Sequence, residues 1–210
     1  MSAAREEVMR RIRDALGPAP AAPAEVPRAY RHAGEPVDFD PVERFCEVVA
    51  DYDATVHRVR AGDLEEALAR ACRERGAVRI AAPVDLPWRV DGVELVADDP
   101  ALSARDLDAI DGVLSGCAAA IAQTGTIVLD GAGTSGRRAL TLVPDLHLCV
   151  VHESQVVPAV PDAIAAVAAA VQDGRPVTFV SGPSATADIE LNRVQGVHGP
   201  RTLDVFVVEG

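Results

Sequence analysis

Residues Thr55–Ala81 read TVHRVRAGDLEEALARACRERGAVRIA. Thr55–Val59 has the β-branched, alternating character of an extended segment. Asp63 then stands as an N-cap before a helix that runs to Arg75, and Gly76 supplies the left-handed stop. Ala77–Ala81 follows as a short apolar strand. An extended segment, a helix and a second strand in succession define an alternating β/α chain. The same alternation continues outward from this unit. Val42–Ala50 is helical, and Gly92–Val96 is a strand. Gly112–Leu129 is apolar but interrupted by Gly116, Gly125 and the polar pair Gln123–Thr124, so it reads as two strands rather than one helix. His147–Val151 is a strand, Pro161–Gln172 an alanine-rich helix and Val177–Val180 a buried strand. Ser184–Leu191 opens a short helix, and Thr202–Val208 closes the sheet. The expectation is an α/β fold with a three-layer, mainly parallel sheet.

Before that pattern starts, Val8, Ile12, Ala15 and Leu16 recur at helical spacing, which predicts an amphipathic helix over 2–16. Gly17 stops it, and six of the fifteen prolines fall between 18 and 41. The organisation read from this is a helical arm over 1–17, a proline-rich linker over 18–40, and an α/β domain over 41–210. The arm's apolar stripe needs a partner surface, and a neighbouring subunit of a homo-oligomer is the expected one.

Composition removes several function classes. A net charge of −12 argues against nucleic acid as partner, because phosphate binding needs a basic footprint. All twenty cationic residues are arginine. The chain therefore offers no lysine for a Schiff base or a P-loop. Cys46, Cys72, Cys117 and Cys149 are scattered without C-x-x-C spacing, so neither an iron–sulfur cluster nor structural zinc is expected in this chain. No segment has the apolar length of a membrane span or of a secretory signal, and the cytoplasm is the expected compartment.

Gly131-Ala-Gly-Thr-Ser-Gly136 fits G-x-G-x-x-G after an apparent strand. Only Arg137–Val143 separates it from Pro144 and the next strand, too short for the crossover helix of a dinucleotide site. It reads as a glycine-rich turn. Arg137 and Arg138 beside it could meet an anion, but paired arginines next to a turn are usually solvated. Val177-Thr-Phe-Val-Ser-Gly-Pro-Ser-Ala-Thr-Ala-Asp-Ile-Glu190 places a strand end at Ser181–Gly182 and a helix start near Ser184. Strand ends and helix N-termini suit anions, and Ser184 and Thr186 add hydroxyl donors. Asp188 is the acidic residue better placed to point back toward the strand ends, whereas Glu190 is expected to pair locally. Gly196-Val-His-Gly-Pro-Arg201 surrounds His198 with glycines and sets Arg201 close by, a pattern suited to carboxylate binding or proton transfer. Gln123-Thr-Gly-Thr126 is either a bulge or a loop lining a site, since polar residues in an apolar run need partners. His147 and His152 fall on opposite faces of a strand and make no metal pair.

Thr124-Gly-Thr126, Leu142-Val-Pro-Asp-Leu-His147, Ser181-Gly-Pro-Ser-Ala-Thr-Ala-Asp-Ile-Glu190 and Gly196-Val-His-Gly-Pro-Arg201, in that order, resemble the LUD-domain family of lactate utilisation protein C. The likeness covers about Asp111 to the C-terminus. It implies a fold like that of phosphosugar isomerases, coenzyme A transferases and formyltetrahydrofolate cyclo-ligases. It also implies work alongside two iron–sulfur partner proteins in oxidising L-lactate to pyruvate, this chain being the subunit without clusters or other cofactors. Many relatives carry Glu where this chain has Gln123, and an amide neither attacks nor titrates.

Together these readings name Thr124, Gly125, Thr126, Ser181, Gly182, Ser184, Thr186, Asp188, His198, Gly199 and Arg201 as ligand-binding candidates for a small carboxylate or phosphate. Asp188 and His198 are the candidates for any catalysis, and no metal site is expected. The alternatives to a lactate-oxidising subunit are a free-standing enzyme, or a metabolite-binding module without chemistry, acting on a small carboxylated or phosphorylated metabolite.

Overall fold

A computed structural model describes residues 3–17, 26–186, 194–196 and 198–210. The chain divides into two compact units, Met1–Arg31 and His32–Gly210. In the first, α1 (Ala3–Leu16) has no buried residue. Glu7 pairs with Arg10 and Arg11, and Arg10 with Asp14, along one face. Val8, Ile12 and Leu16 are exposed along another.

The second unit holds the α/β fold. Its elements are α2 (Pro41–Asp51), β1 (Thr55–Arg60), α3 (Leu64–Arg75), β2 (Arg79–Ala82), β3 (Glu94–Ala97), α4 (Ala104–Asp108), β4 (Gly112–Ser115), β5 (Ala119–Ile121) and β6 (Thr126–Leu129). They continue with β7 (Leu146–His152), β8 (Val156–Val157), α5 (Val160–Ala166), α6 (Ala168–Gln172), β9 (Thr178–Val180), β10 (Ala185–Thr186), β11 (Val194–Gln195) and β12 (Thr202–Glu209). Asp40 caps α2, its carboxylate accepting the Val42 and Glu43 N–H groups, with Pro41 preset for the first turn. Gly76, at φ 67, ends α3 as expected. Asp63 stands before α3 but makes no side-chain capping bond, because a 3-10 turn over Ala61–Asp63 leads into the helix instead.

Six strands form a wholly parallel sheet in the order β1-β12-β7-β4-β2-β3. On one face Ile80, Leu114, Leu148, Val150 and Phe206 pack under Leu64, Leu68 and Cys72 of α3. On the other, Cys149, Val151, Val205 and Val207 pack against Ile127 and Leu129 of a second sheet and Phe45 and Val49 of α2. That second sheet, β8-β5-β6-β9, is mixed. Its far face, with Ile121 and Val128, is covered by Ala163 of α5, Ala170 of α6 and Val167 between them. The fold class agrees with the α/β, mainly parallel expectation, and the layers number more than three because the apolar run 112–129 divides.

Four expectations change at this point. The run 112–129 makes three strands, of which only β4 joins the parallel sheet; Gly116 and Gly125 are the breaks. The helix expected over 161–172 is two short helices, α5 and α6. The strand at 178–180 is not buried: it forms an edge of the small sheet, and Phe179 is 45 % exposed. No helix opens at Ser184, because Ala185 and Thr186 pair antiparallel with Gln195 and Val194. The remainder of that expected helix, 187–191, lies outside the described residues.

Candidate functional site

β6 and β9 run antiparallel, with Ile127 opposite Val180. This pairing carries Ser181 to the end of the hydroxyl chain that begins at Thr124. Thr124 Oγ1 lies 2.7 Å from Thr126 Oγ1, which lies 2.7 Å from Ser181 Oγ. Thr126 is buried, so the chain satisfies polar groups within an apolar strand pair. Gly182 follows at φ +87, where an added Cβ would lie 2.5 Å from the Tyr52 carbonyl oxygen. Only glycine permits that approach together with that backbone.

Ser184 ties this segment to the loop before β12. Its N–H donates to the Pro200 carbonyl at 2.7 Å, and its carbonyl accepts the Gly196 N–H at 2.9 Å. Its hydroxyl oxygen accepts the His198 N–H at 2.9 Å. The backbone of Ser184 is therefore spent on a loop-to-loop clamp rather than on a helix terminus.

A cleft of about 240 Å³ opens where these segments meet the parallel sheet. Thr178–Ser184 and His198–Pro200 form two of its walls, Arg138 and Thr141 a third, and His147 and Leu203 line it from the sheet. His147 and Leu203 are each the second residue of their strand and pair with one another. The cleft thus lies at the amino ends of β7 and β12, facing the carboxyl end of β9. The strand end read from the sequence at Ser181–Gly182 lines the cleft, but it belongs to the small sheet rather than to the parallel one. Through β9, the small sheet sets its carboxyl end against the entry side of the large one.

Behind the cleft the core is polar. His147 is 1 % exposed, and its Nε2 lies 2.8 Å from the Ser115 hydroxyl. The Cys149 thiol lies 3.9 Å from the same hydroxyl and 3.8 Å from the Gly116 carbonyl. Cys117 is its thiol neighbour and is bracketed by Gln155. Hydrogen bonding to Cys117 draws the Cys149 thiol toward its ionised form; burial opposes this, and His147 and Ser115 add to the pull. Cys117 moves the other way, raised by Cys149 and by burial.

The two arginines after the glycine-rich turn have different surroundings. Arg137 donates to Asp98 at 2.8 Å and to the carbonyls of Asp99 and Leu102. Arg138 lines the cleft, and among the described residues its guanidinium meets no carboxylate or carbonyl. Burial pushes its pKa below the ordinary arginine value.

Of the candidates read from the sequence, Ser181, Gly182, Ser184, His198 and Gly199 line the cleft. Thr124, Gly125 and Thr126 do not, although the two threonines reach it through Ser181. Gly125 sits under α2, where a Cβ would lie 2.6 Å from the Val49 nitrogen. Arg201 is outside the lining: it lies over Gly196 and pairs with Asp145 at 3.2 Å on the surface. Thr186 lies in β10, with no side-chain placement described, and Asp188 falls outside the described residues. Gln123 is exposed, in a depression lined by Asp38, Asp40, Glu43, Arg44 and Glu47, away from the cleft. Reading the sequence alone missed Thr141, His147 and Ser115 as site residues, and weighed Arg138 only as an arginine beside a turn that is usually solvated. The available signal was a histidine inside an apolar strand, which demands a buried partner.

Fold and cleft together define a two-sheet α/β domain with a small polar cleft between parallel sheet and mixed sheet. A family model described as the LUD domain matches residues 42–208, and the chain belongs to that family. It is 48 % identical over 167 residues to lactate utilization protein C of Deinococcus radiodurans, covering 80 % of this chain and 79 % of that protein. Lactate utilization protein C of Geobacillus kaustophilus is 34 % identical over 128 residues, and there the match spans 53 % of the relative's length. The crystal structure of a DUF162 family protein from Deinococcus radiodurans superposes with a TM-score of 0.70 at 42 % identity, over 80 % of this chain and 96 % of that one.

Proposed function

We propose that this chain serves lactate utilisation as the cluster-free subunit of a cytoplasmic multiprotein system that oxidises L-lactate to pyruvate. The observation that carries the reading is the 48 % identity to a lactate utilization protein C across four-fifths of the chain. The cysteines support the division of labour. All four are free; Cys72 lies on one face of the parallel sheet, and Cys117 and Cys149 on the other. Among the described residues no group of three or more His, Cys, Asp or Glu side chains could hold a metal. Oxidising lactate to pyruvate removes two electrons and two protons, so iron–sulfur partner proteins would take the electrons. This chain would contribute binding and positioning at the cleft. Reduced thiols suit the cytoplasm.

The test is complementation. A bacterium deleted for its own lactate utilization protein C, with the other genes of the system intact, should regain growth on L-lactate when it expresses this chain. Stable expression without growth overturns the reading. Pyruvate formation by the purified chain alone, with an added electron acceptor, would instead establish a free-standing enzyme.

A further inference from the structure

The geometry points to a small, singly charged organic carboxylate as the ligand of the cleft, gripped by Arg138. This deepens the reading above in one respect only: it rests on the cleft being the functional site.

Arg137 and Arg138 are adjacent in sequence but differ in what they hold. Arg137 is consumed by Asp98 and two backbone carbonyls. Among the described residues, Arg138 lines the cleft without an anionic partner, and none of the lining residues is acidic. A half-buried guanidinium loses hydration and gains most from an external anion that restores its hydrogen bonds. Burial already lowers its pKa, and nothing in its described surroundings compensates.

The rest of the lining narrows the anion. Ligand pockets for drug-sized molecules span about 300–1,000 Å³, and this cleft, at about 240 Å³, suits a smaller metabolite. Among the described residues Arg138 is the one arginine of the lining, and a planar guanidinium matches the two oxygens of one carboxylate. A dianion such as phosphate would find no second arginine among the described lining residues, inside a protein of net charge −12. The hydroxyls stand apart from the arginine in character. Ser184 Oγ accepts from the His198 N–H and keeps its own proton to donate. Ser181 ends the chain from Thr124 and Thr126. They suit an oxygen substituent elsewhere on the same small skeleton, as in a hydroxy or keto acid.

Isothermal titration of the full chain with acetate, pyruvate, L-lactate and inorganic phosphate tests this directly. Pyruvate and L-lactate should bind more tightly than acetate, and phosphate more weakly than either. Arg138→Ala, with an unchanged circular dichroism spectrum, should weaken them about ten- to a hundredfold, the loss expected for one charge-assisted contact. Arg138→Lys should recover only part of the affinity, because a point charge replaces a fork. Arg79→Ala, which removes an exposed partner of Glu94, should bind as the parent does. The inference is overturned if none of the probes binds or if phosphate binds best. It is also overturned if Arg201→Ala loses affinity while Arg138→Ala keeps it. A chain that restores growth on L-lactate yet binds no probe overturns the ligand and leaves the lactate role standing. A chain that binds through Arg138 but fails complementation supports the ligand and overturns the role.

Discussion

Gly125→Ala separates packing from ligand binding at a residue that the sequence placed in the site. Gly125 stands at φ +58 between β5 and β6, beneath the backbone of α2. An alanine Cβ would lie 2.6 Å from the Val49 nitrogen and 2.8 Å from the Val48 carbonyl carbon. Both are backbone atoms of a helix, so neither can rotate aside. The left-handed conformation costs a side chain about 1–2 kcal/mol, and overpacking a tight contact adds about 1–3 kcal/mol. Restricting the unfolded chain returns about 0.4–1 kcal/mol. The net loss centres near about 3 kcal/mol, which in a chain of this size lowers Tm by about 6–12 °C. Gly174→Ala is the control. Its φ is +72 with nothing within 4 Å of the new Cβ. Only the conformational cost remains there, about 1 kcal/mol or about 2–4 °C. Differential scanning calorimetry of both variants reads the difference, which is the close-approach contribution alone. Equal Tm losses in the two proteins would refute the claim that α2 is held against this turn at backbone distance.

Asp204 is 2 % exposed; burial pushes its carboxyl up, but His57 and Arg75 outweigh that and hold it below the usual range. Its folded pKa lies under the unfolded value, so the pairing's contribution is full above about pH 4 and is lost as pH falls through the depressed value. Arg75 donates to Asp204 at 2.7 Å, and its side chain is 38 % exposed. Arg75→Ala should therefore cost about 2–3 kcal/mol at neutral pH, and urea unfolding should show the deficit shrinking in acid. A deficit independent of pH would mean that Asp204 does not carry the charge. Elemental analysis of aerobically and anaerobically purified protein should find no stoichiometric iron; about four irons per chain with a visible absorption band would place a cluster here after all. Removing residues 1–30, within the unit that ends at Arg31, should leave a cooperative melt and reduce self-association in sedimentation velocity. Loss of the cooperative transition would put the arm in the core.

The sequence by itself determined the alternation of strands and helices, because local signals govern it. Gly76 can end α3 whatever lies around it, and Pro41 presets the first turn of α2 through its own ring. The segments that meet at the cleft were also legible, since Ser181–Ser184 and His198–Gly199 carry turn glycines and hydroxyls unsuited to a core. Long-range pairing decided the rest. Ser184 reads as a helix cap in isolation, yet its N–H and carbonyl are claimed by Pro200 and Gly196, and a partner sixteen residues away has no local signature. Arg201 and Arg138 are chemically identical in the sequence. Only the folded chain sets Arg201 against Asp145 on the surface and leaves Arg138 facing the cleft. His147 likewise became part of the site through strand order: β7 lies between β4 and β12, which brings Ser115 to its ring from one side and Leu203 beside it from the other. Hydrogen bonds between neighbours follow from residue type and spacing, whereas the packing of the two sheets follows from burying both of their apolar faces at once.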